Sequence, residues 1–457
     1  MDTGRHVHFI GIGGYGMSAI ARVLLEMGYR VSGSDVMPQE STEKLAASGA
    51  KVYIGHEPSH VEGADLVVYS TALPKDNVEM KAARQLNIPI LHRAEMLARI
   101  MDERRGIAVS GAHGKTTTSS MIALVMERCG LDPTYIIGGE IMNVGSNARA
   151  GRGEFVVAEA DESDGSFLNY HPEIAVCTNI EPDHLEHYGG DFDNLKKAYA
   201  QFLGQVKPGG KVVACWDDPA VRELLPGIDA ETVTYGLSPA ADCRAAAIEL
   251  SDRAVSFDFY RGTERLGRVQ LSVPGKHNVC NAMACIITCL AAGLSFGQIA
   301  GAIREFRGAK RRFQVIGEAG GITVVDDYAH HPTEIEATIE AARSVGKRII
   351  AVFQPQRYTR TFFLLDAFSR AFHGADEVII TDIYSPAGET PIDGVSAERL
   401  AELIRVNSNP NVRFIPDRED IERELVRRLK PGDLVLTMGA GDIWKTAEAL
   451  ARRIAAG

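Results

Sequence analysis

The stretch Ser110–Thr118 (Ser-Gly-Ala-His-Gly-Lys-Thr-Thr-Thr) sets glycines, a lysine and a row of hydroxyls at a spacing that suits polyphosphate chemistry. Gly111, Ala112, His113 and Gly114 would turn backbone N–H groups towards an anion. Lys115 would supply a cation for the terminal phosphates, and the hydroxyl of Thr116, with Thr117 behind it, would ligate Mg2+. The run is shorter than a full Walker loop, which needs glycine where this chain has Val109. An ordinary helix entry is the competing reading. A second feature favours the phosphate. The apolar run Glu154–Glu159 delivers the Glu159 carboxylate, followed by Asp161, Glu162 and Asp164. A strand-end acid beside a phosphate loop is how such proteins hold Mg2+.

Further residues of chemical interest lie at the ends of apolar runs. His184 follows the run Ile174–Thr178, and we read it as a metal or phosphate contact; His187 and His171 read as surface residues. No His-Glu-x-x-His occurs, so a zinc protease is not expected. His277, Asn278 and Asn281 open an alanine-rich helix, where amide side chains could read a base edge or simply cap the helix. Arg307–Phe313 is a basic run, either a solvated linker or a phosphate contact. Tyr328, His330, Arg357 and Arg360 sit beyond two later apolar runs, a set suited to capturing a carboxylate or phosphate. At the start of the chain, Val7–Ile10 leads into Gly11, Gly13, Gly14 and Gly16, with Met17 beginning a helical spacing and Asp35 ending the next run. That pattern alone leaves NAD, a nucleotide sugar and plain helix–strand packing open.

The elements that must position these residues alternate between short apolar runs and helical spacings, which is the signature of α/β folds. The 457 residues suggest three domains. We place a Rossmann-like domain at 1–104, a central P-loop ATPase-type domain at 105–313, with a mixed sheet carrying an antiparallel appendage between Val212 and Val273, and a Rossmann-like domain at 314–457. The stretch Ala282–Phe296 is too short and interrupted to span a bilayer and reads as a buried helix. His6–Ile10 reads as a first strand, so no signal peptide is expected. The seven scattered cysteines, without Cys-x-x-Cys, suit a reducing cytosol rather than a disulfide framework. A net charge of −11 argues against a general nucleic-acid or anionic-membrane binder.

Taken together, these motifs resemble the Mur ligase family of bacterial peptidoglycan synthesis. The resemblance covers essentially the whole chain. It rests on residues 11–18, 33–35, 111–117, 159–164, 179–184, 277–281, 326–332, 354–361 and 439–442. It implies a cytoplasmic, ATP- and Mg2+-dependent ligase in which the lactyl carboxylate of UDP-N-acetylmuramate attacks the γ-phosphate of ATP, and an amine displaces phosphate from the acyl phosphate. The pattern is most similar to the L-alanine-adding members. By motif match, Lys115, Glu159 and His184 would be catalytic, and Thr116, Glu159 and His184 would hold metal. His277, Asn278 and Asn281 would lie near the adenine. Gly11, Gly13, Gly14, Gly16, Met17, Asp35, Ser70, His92 and Arg93 would hold the UDP-sugar. Tyr328, His330, Arg357 and Arg360 would position the amino acid and the new carboxylate.

Two departures from the family pattern bear on chemistry. Ala112 stands where relatives commonly carry threonine. Several sister ligases carry a carbamylated lysine on the helix after the histidine; here Tyr199 falls near that place, so no such modification is expected. Rival readings are a recycling ligase that adds a preformed tripeptide to the same sugar nucleotide, an NAD-dependent oxidoreductase using the first glycine loop, and a non-catalytic nucleotide switch. The oxidoreductase leaves Lys115, Glu159 and His184 without a role, and the switch does not explain the tyrosine, histidine and arginines near the end of the chain.

Overall fold

In the computed structural model, which describes residues 4–74, 76–251, 253–385 and 389–456, the chain forms three sheets flanked by helices. The first sheet is wholly parallel and runs in the order Lys51–Ile54, Arg30–Asp35, His6–Ile10, Leu66–Tyr69, Ile90–His92. Its connections are helical, as parallel pairing requires. Val7, Phe9, Val31 and Val68 join the core that holds Ile20, Val23 and Leu24 of helix Tyr15–Glu26. On the other side Ile10 and Val67 meet Met80 and Ala83 of helix Val78–Gln85. Burial on both faces explains the near-continuous apolar runs of these strands.

The central sheet has ten strands. Arg105–Ser110 lies between Phe155–Glu159 and Ile174–Cys177, parallel to both. The sheet continues parallel through Lys211–Cys215 and Glu231–Gly236 before the strands Cys243–Leu250, Val255–Arg261 and Glu264–Leu271 complete that end. The last three are neighbours joined by links too short for a crossover, so they form hairpins. The expected antiparallel appendage is therefore smaller than its proposed span, because the first two strands after Val212 extend the parallel sheet. Its other end holds Thr134–Ile141 and Ser146–Arg149, an antiparallel pair not expected from the sequence. The Gly138–Gly139 step interrupts the first of these runs, and only Thr134–Ile136 pairs with Val156–Ala158, so the pattern is too broken to read as a strand.

Helix Lys115–Arg128 follows the phosphate loop and is buried from Thr116 to Met126, and its even burial explains its lack of a polar face. The first part of the apolar stretch Ala282–Phe296 belongs to helix His277–Ala291, with Ala282 to Ile287 all buried, but the helix ends at Ala291 and a second helix starts at Phe296. Among the described residues no helix is long and apolar enough to cross a membrane.

The third sheet runs Gln314–Ala319, Ile322–Asp327, Asp433–Met438, Arg348–Phe353, Glu377–Ile380, Val412–Phe414. All pairs are parallel except the first, an antiparallel edge strand with a register shift after Val315. The sequence did not mark this edge strand, because its residues are mostly half-exposed. By contact density the chain forms two compact units: residues 1–244 with 259–267 and 280–303, and residues 245–258 with 268–279 and 304–457.

Candidate active site

In the first unit, the loop Ser110–Gly114 connects the inner strand Arg105–Ser110 of the central sheet to helix Lys115–Arg128, so the helix N-terminus faces whatever the loop cradles. Two glycines have steric reasons. Gly111 has φ +137°, and a Cβ there would lie 1.9 Å from Thr178 Oγ1; Gly114 has φ +81°, and its Cβ would lie 2.5 Å from Asn281 Oδ1. The segment after strand Ile174–Cys177 clamps the loop. Ala112 N donates to Asn179 O (3.2 Å), His113 N to Asn179 Oδ1 (2.8 Å), and Asn179 Nδ2 to His113 O (3.0 Å). Thr178 Oγ1 donates to His113 O at 2.5 Å. Spacing in the sequence does not single out Thr178 or Asn179 as site residues, although Asn179 lies inside one of the motifs of the resemblance; their role depends on the strand pairing that sets them beside the loop.

Lys115 lies along this loop. Its Nζ donates to Gly111 O (2.5 Å) and to both carboxylate oxygens of Glu162 (2.9 Å each). Burial disfavours the charged amine, but Glu162, Asp161 and Glu159 outweigh it and raise the lysine pKa. Glu162 is the site's main addition to the expected set. Burial pushes its carboxyl up, Lys115 opposes that rise, and the Asp161 carboxylate adds to it.

Glu159 ends its strand as expected. Its Oε1 accepts from Gly138 N (2.6 Å) and from Ser119 Oγ (3.4 Å), while Ser119 also donates to Lys115 O (2.8 Å) and Thr116 O (3.1 Å). This places the carboxylate beside the first turn of the helix that carries the buried Thr116. The donors here, a carboxylate and a hydroxyl, are hard oxygens that fit Mg2+. Asn281 packs against Gly114, and Thr118 Oγ1 donates to it at 3.3 Å.

His184 adopts φ +53°, unusual for a residue other than glycine. Its ring lies between Asp183 (3.5 Å) and Glu186 (3.8 Å). The nearby His184 ring holds the Glu186 carboxyl down to about 2, against burial. Tyr199 is buried on helix Phe192–Gly204, edge-on to Phe167 at 5.2 Å. Lys196 is turned to Asp193 and Glu223.

The first sheet brings its own glycine loop to the C-terminal end of its strands, where open α/β sheets bind ligands. Asp35 is buried and uses both oxygens within the chain: Oδ2 accepts from Gly13 N (2.8 Å), and Oδ1 accepts from Val36 N (2.8 Å) and Gln39 Nε2 (3.3 Å). It therefore shapes the turn Gly11–Gly14. His92 caps its own helix, accepting from Ala94 N at 3.4 Å, and Ser70 follows strand Leu66–Tyr69. Arg93 reaches the acidic loop of the central part, 3.0 Å from Asp164 and 3.6 Å from Asp161. A Cβ on Gly16 would lie 3.9 Å from Arg93 Nη1. Tyr15, Val36 and Met37 nearby are exposed.

In the second unit, Tyr328 and His330 follow strand Ile322–Asp327, and Arg357 and Arg360 follow strand Arg348–Phe353. Both strands pair with Asp433–Met438, so the four residues leave the same end of one sheet. The Tyr328 ring lies 5.0 Å from the Arg311 guanidinium, 5.3 Å from that of Arg312 and edge-on to His330. Arg311 also donates to Asp326 (2.8 Å), Gly439 O (2.6 Å) and Gly441 O (3.3 Å). That residue of the basic run is thus a structural tie within this unit. Arg357 has φ +69°, and Arg360 is buried with Nη1 on Gln356 Oε1 at 2.7 Å. Asp327, not singled out from the sequence, is buried. Burial raises its pKa to about 6, despite Arg312 and the N–H groups of Phe313 and Ala329. His277 opens its helix, and the Asn278 amide donates to Pro274 O (2.6 Å), a local tie at the helix start.

Comparison with known proteins follows this geometry. Family models match residues 6–105 (Mur ligase family, catalytic domain), 109–289 (Mur ligase middle domain) and 311–441 (Mur ligase, glutamate ligase domain). A UDP-N-acetylmuramate–L-alanine ligase of Symbiobacterium thermophilum is 51% identical, covering 99% of this chain and 95% of the relative. One of Pelotomaculum thermopropionicum is 52% identical, covering 99% and 98%. The crystal structure of the UDP-N-acetylmuramate–alanine ligase of Thermotoga maritima is similar with a TM-score of 0.82, 29% identity and 99% of each chain covered. Matched in all three parts and half identical to such relatives over nearly its full length, this chain belongs to the Mur ligase family.

Proposed function

We propose that the protein is an ATP-dependent ligase of the cytoplasm that joins L-alanine to the lactyl carboxylate of UDP-N-acetylmuramate, giving ADP and phosphate. The observation that carries this reading is the meeting of Lys115, the helix turn Thr116–Ser119 and the strand-end Glu159 at one glycine loop. The half-identical relatives support the choice of sugar nucleotide and amino acid.

In this mechanism a carboxylate oxygen of the sugar nucleotide attacks the γ-phosphorus, ADP leaves, and the amine of L-alanine displaces phosphate from the acyl phosphate. Phosphoryl transfer asks the protein mainly for position and charge. Lys115 and the N–H groups of the helix start neutralise the phosphate oxygens. Thr116 and Glu159 would hold Mg2+, which when bound adds Lewis-acid charge at the same oxygens. His184, between two carboxylates on a strained turn, is our candidate at a second cation position. Arg93 and the Gly11–Gly16 loop orient the sugar nucleotide, and Tyr328, His330, Arg357 and Arg360 orient the amino acid.

The reading is tested by phosphate release from ATP with Mg2+ and UDP-N-acetylmuramate, adding L-alanine, D-glutamate or a muramyl-type tripeptide separately. Release with L-alanine alone is expected. Release with the tripeptide alone would move the protein to recycling, and no release with any acceptor would contradict a ligase.

A further inference from the structure

The Lys115 amine carries three protons, and three acceptors take them: Gly111 O at 2.5 Å and the two Glu162 oxygens at 2.9 Å. The next oxygen, Ala112 O, is farther at 3.4 Å. Yet a phosphate cradle needs this same amine to face a phosphate. Glu162 is well placed to yield it. Its side chain is only 5% exposed, so water screens the pair little. Its backbone is fixed: Tyr188 Oη and Gly165 N both donate to its carbonyl oxygen. The flanks are fixed too, with Ser163 N on Asp161 Oδ1 (3.1 Å), Ser166 N on Asp164 Oδ1 (3.0 Å) and Arg93 Nη2 on Asp164 Oδ2 (3.0 Å). The carboxylate can turn away by side-chain rotation while the loop that bears it stays in place.

We propose that Glu162 is a positioning residue for Lys115, a built-in counter-ion that holds the amine along the loop until polyphosphate takes its place. This rests on the reading of the loop as an ATP site. A carboxylate and a phosphate oxygen accept the same charge-assisted hydrogen bonds. Exchanging one for the other keeps Lys115 paired throughout and avoids a lone buried cation. When Lys115 turns to the phosphate, burial and the Asp161 carboxylate act on Glu162 without the opposing lysine, and the carboxyl takes up a proton.

The test is calorimetric titration of the full chain with Mg2+ and the non-hydrolysable β,γ-imido analogue of ATP, in buffers of different ionisation enthalpy near neutral pH. Wild-type protein is expected to take up as much as one proton per nucleotide. Glu162→Gln, which has no charge to be displaced, is expected to bind about tenfold more tightly with that uptake abolished. A merely structural role for Glu162 would weaken binding instead. Weaker or unchanged binding by the variant, or unchanged proton uptake, overturns the proposal. If the variant does not fold, wild-type binding without proton uptake overturns it alone. Failure of the wild-type protein to bind the analogue at all would instead contradict the ATP site on which the inference rests.

Discussion

Lys115 is the residue on which the proposed chemistry converges, and its removal gives the most specific residue-scale expectation. Loss of one preorganised charge at a developing oxyanion costs about 10²–10³ in turnover. Lys115→Ala should therefore lower phosphate release by at least about that factor while the variant keeps its fold, as judged by circular dichroism; near-normal turnover would contradict the assignment. Gly114 gives a second expectation. At φ +81°, with Asn281 Oδ1 at 2.5 Å from an added Cβ, Gly114→Ala should cost about 1–2 kcal/mol from the left-handed backbone alone. A urea midpoint equal to wild type would show that the loop relaxes freely. At this scale the sequence was informative where the chemistry is contiguous: Lys115, Thr116 and Glu159 stand where their spacing puts them. It was silent on which carboxylate among Glu159, Asp161, Glu162 and Asp164 meets the lysine, since only the fold of that loop selects Glu162. Nor did spacing show that Asp35 ties the glycine turn through Gly13 and Gln39.

Elements bring together groups that no spacing connects. On one face of the first sheet, the fully buried Glu79 accepts from His8 Nε2 (3.2 Å), Ser34 Oγ (2.6 Å) and His60 Nδ1 (2.8 Å). His8 Nδ1 continues to Ser32 Oγ (2.8 Å), Ser32 to His6 Nε2 (2.7 Å), and His6 Nδ1 to Gly63 O (2.9 Å).

The same network fixes a pH dependence. Burial alone would raise the Glu79 carboxyl, but the hydrogen bonds from His8, Ser34 and His60 outweigh it and hold it at about 2. A depressed carboxylate contributes stability that is full above its unfolded value of about 4.5 and is lost as pH falls from there towards 2. The loss amounts to about 3 kcal/mol. Glu79→Gln should flatten the acid limb of the stability curve between those values, and an unchanged limb would contradict the network's role. None of this was legible from the sequence, because His8 and Glu79 lie 71 residues apart and meet only through sheet register.

At the scale of the whole molecule, the α/β class and the parallel sheets were legible because buried parallel strands read as short apolar runs between helical spacings. The pieces not assigned are Ser146–Arg149 and Gln314–Ala319, edge strands that alternate or are half-exposed, and Thr134–Ile141, an inner strand broken by two glycines, and each leaves little pattern. The two compact units lead to a thermodynamic expectation: scanning calorimetry should give a calorimetric enthalpy larger than the van't Hoff enthalpy, and equality would indicate one cooperative unit.

The central claim is that the sugar nucleotide's carboxylate is activated by phosphorylation before the amine attacks. It is tested most directly with UDP-N-acetylmuramate carrying 18O in both lactyl carboxylate oxygens, turned over with ATP, Mg2+ and L-alanine. The account predicts one 18O in each phosphate released, because the oxygen that attacks the γ-phosphorus departs with it when the amide forms. Amide product accompanied by unlabelled phosphate would contradict the acyl-phosphate route.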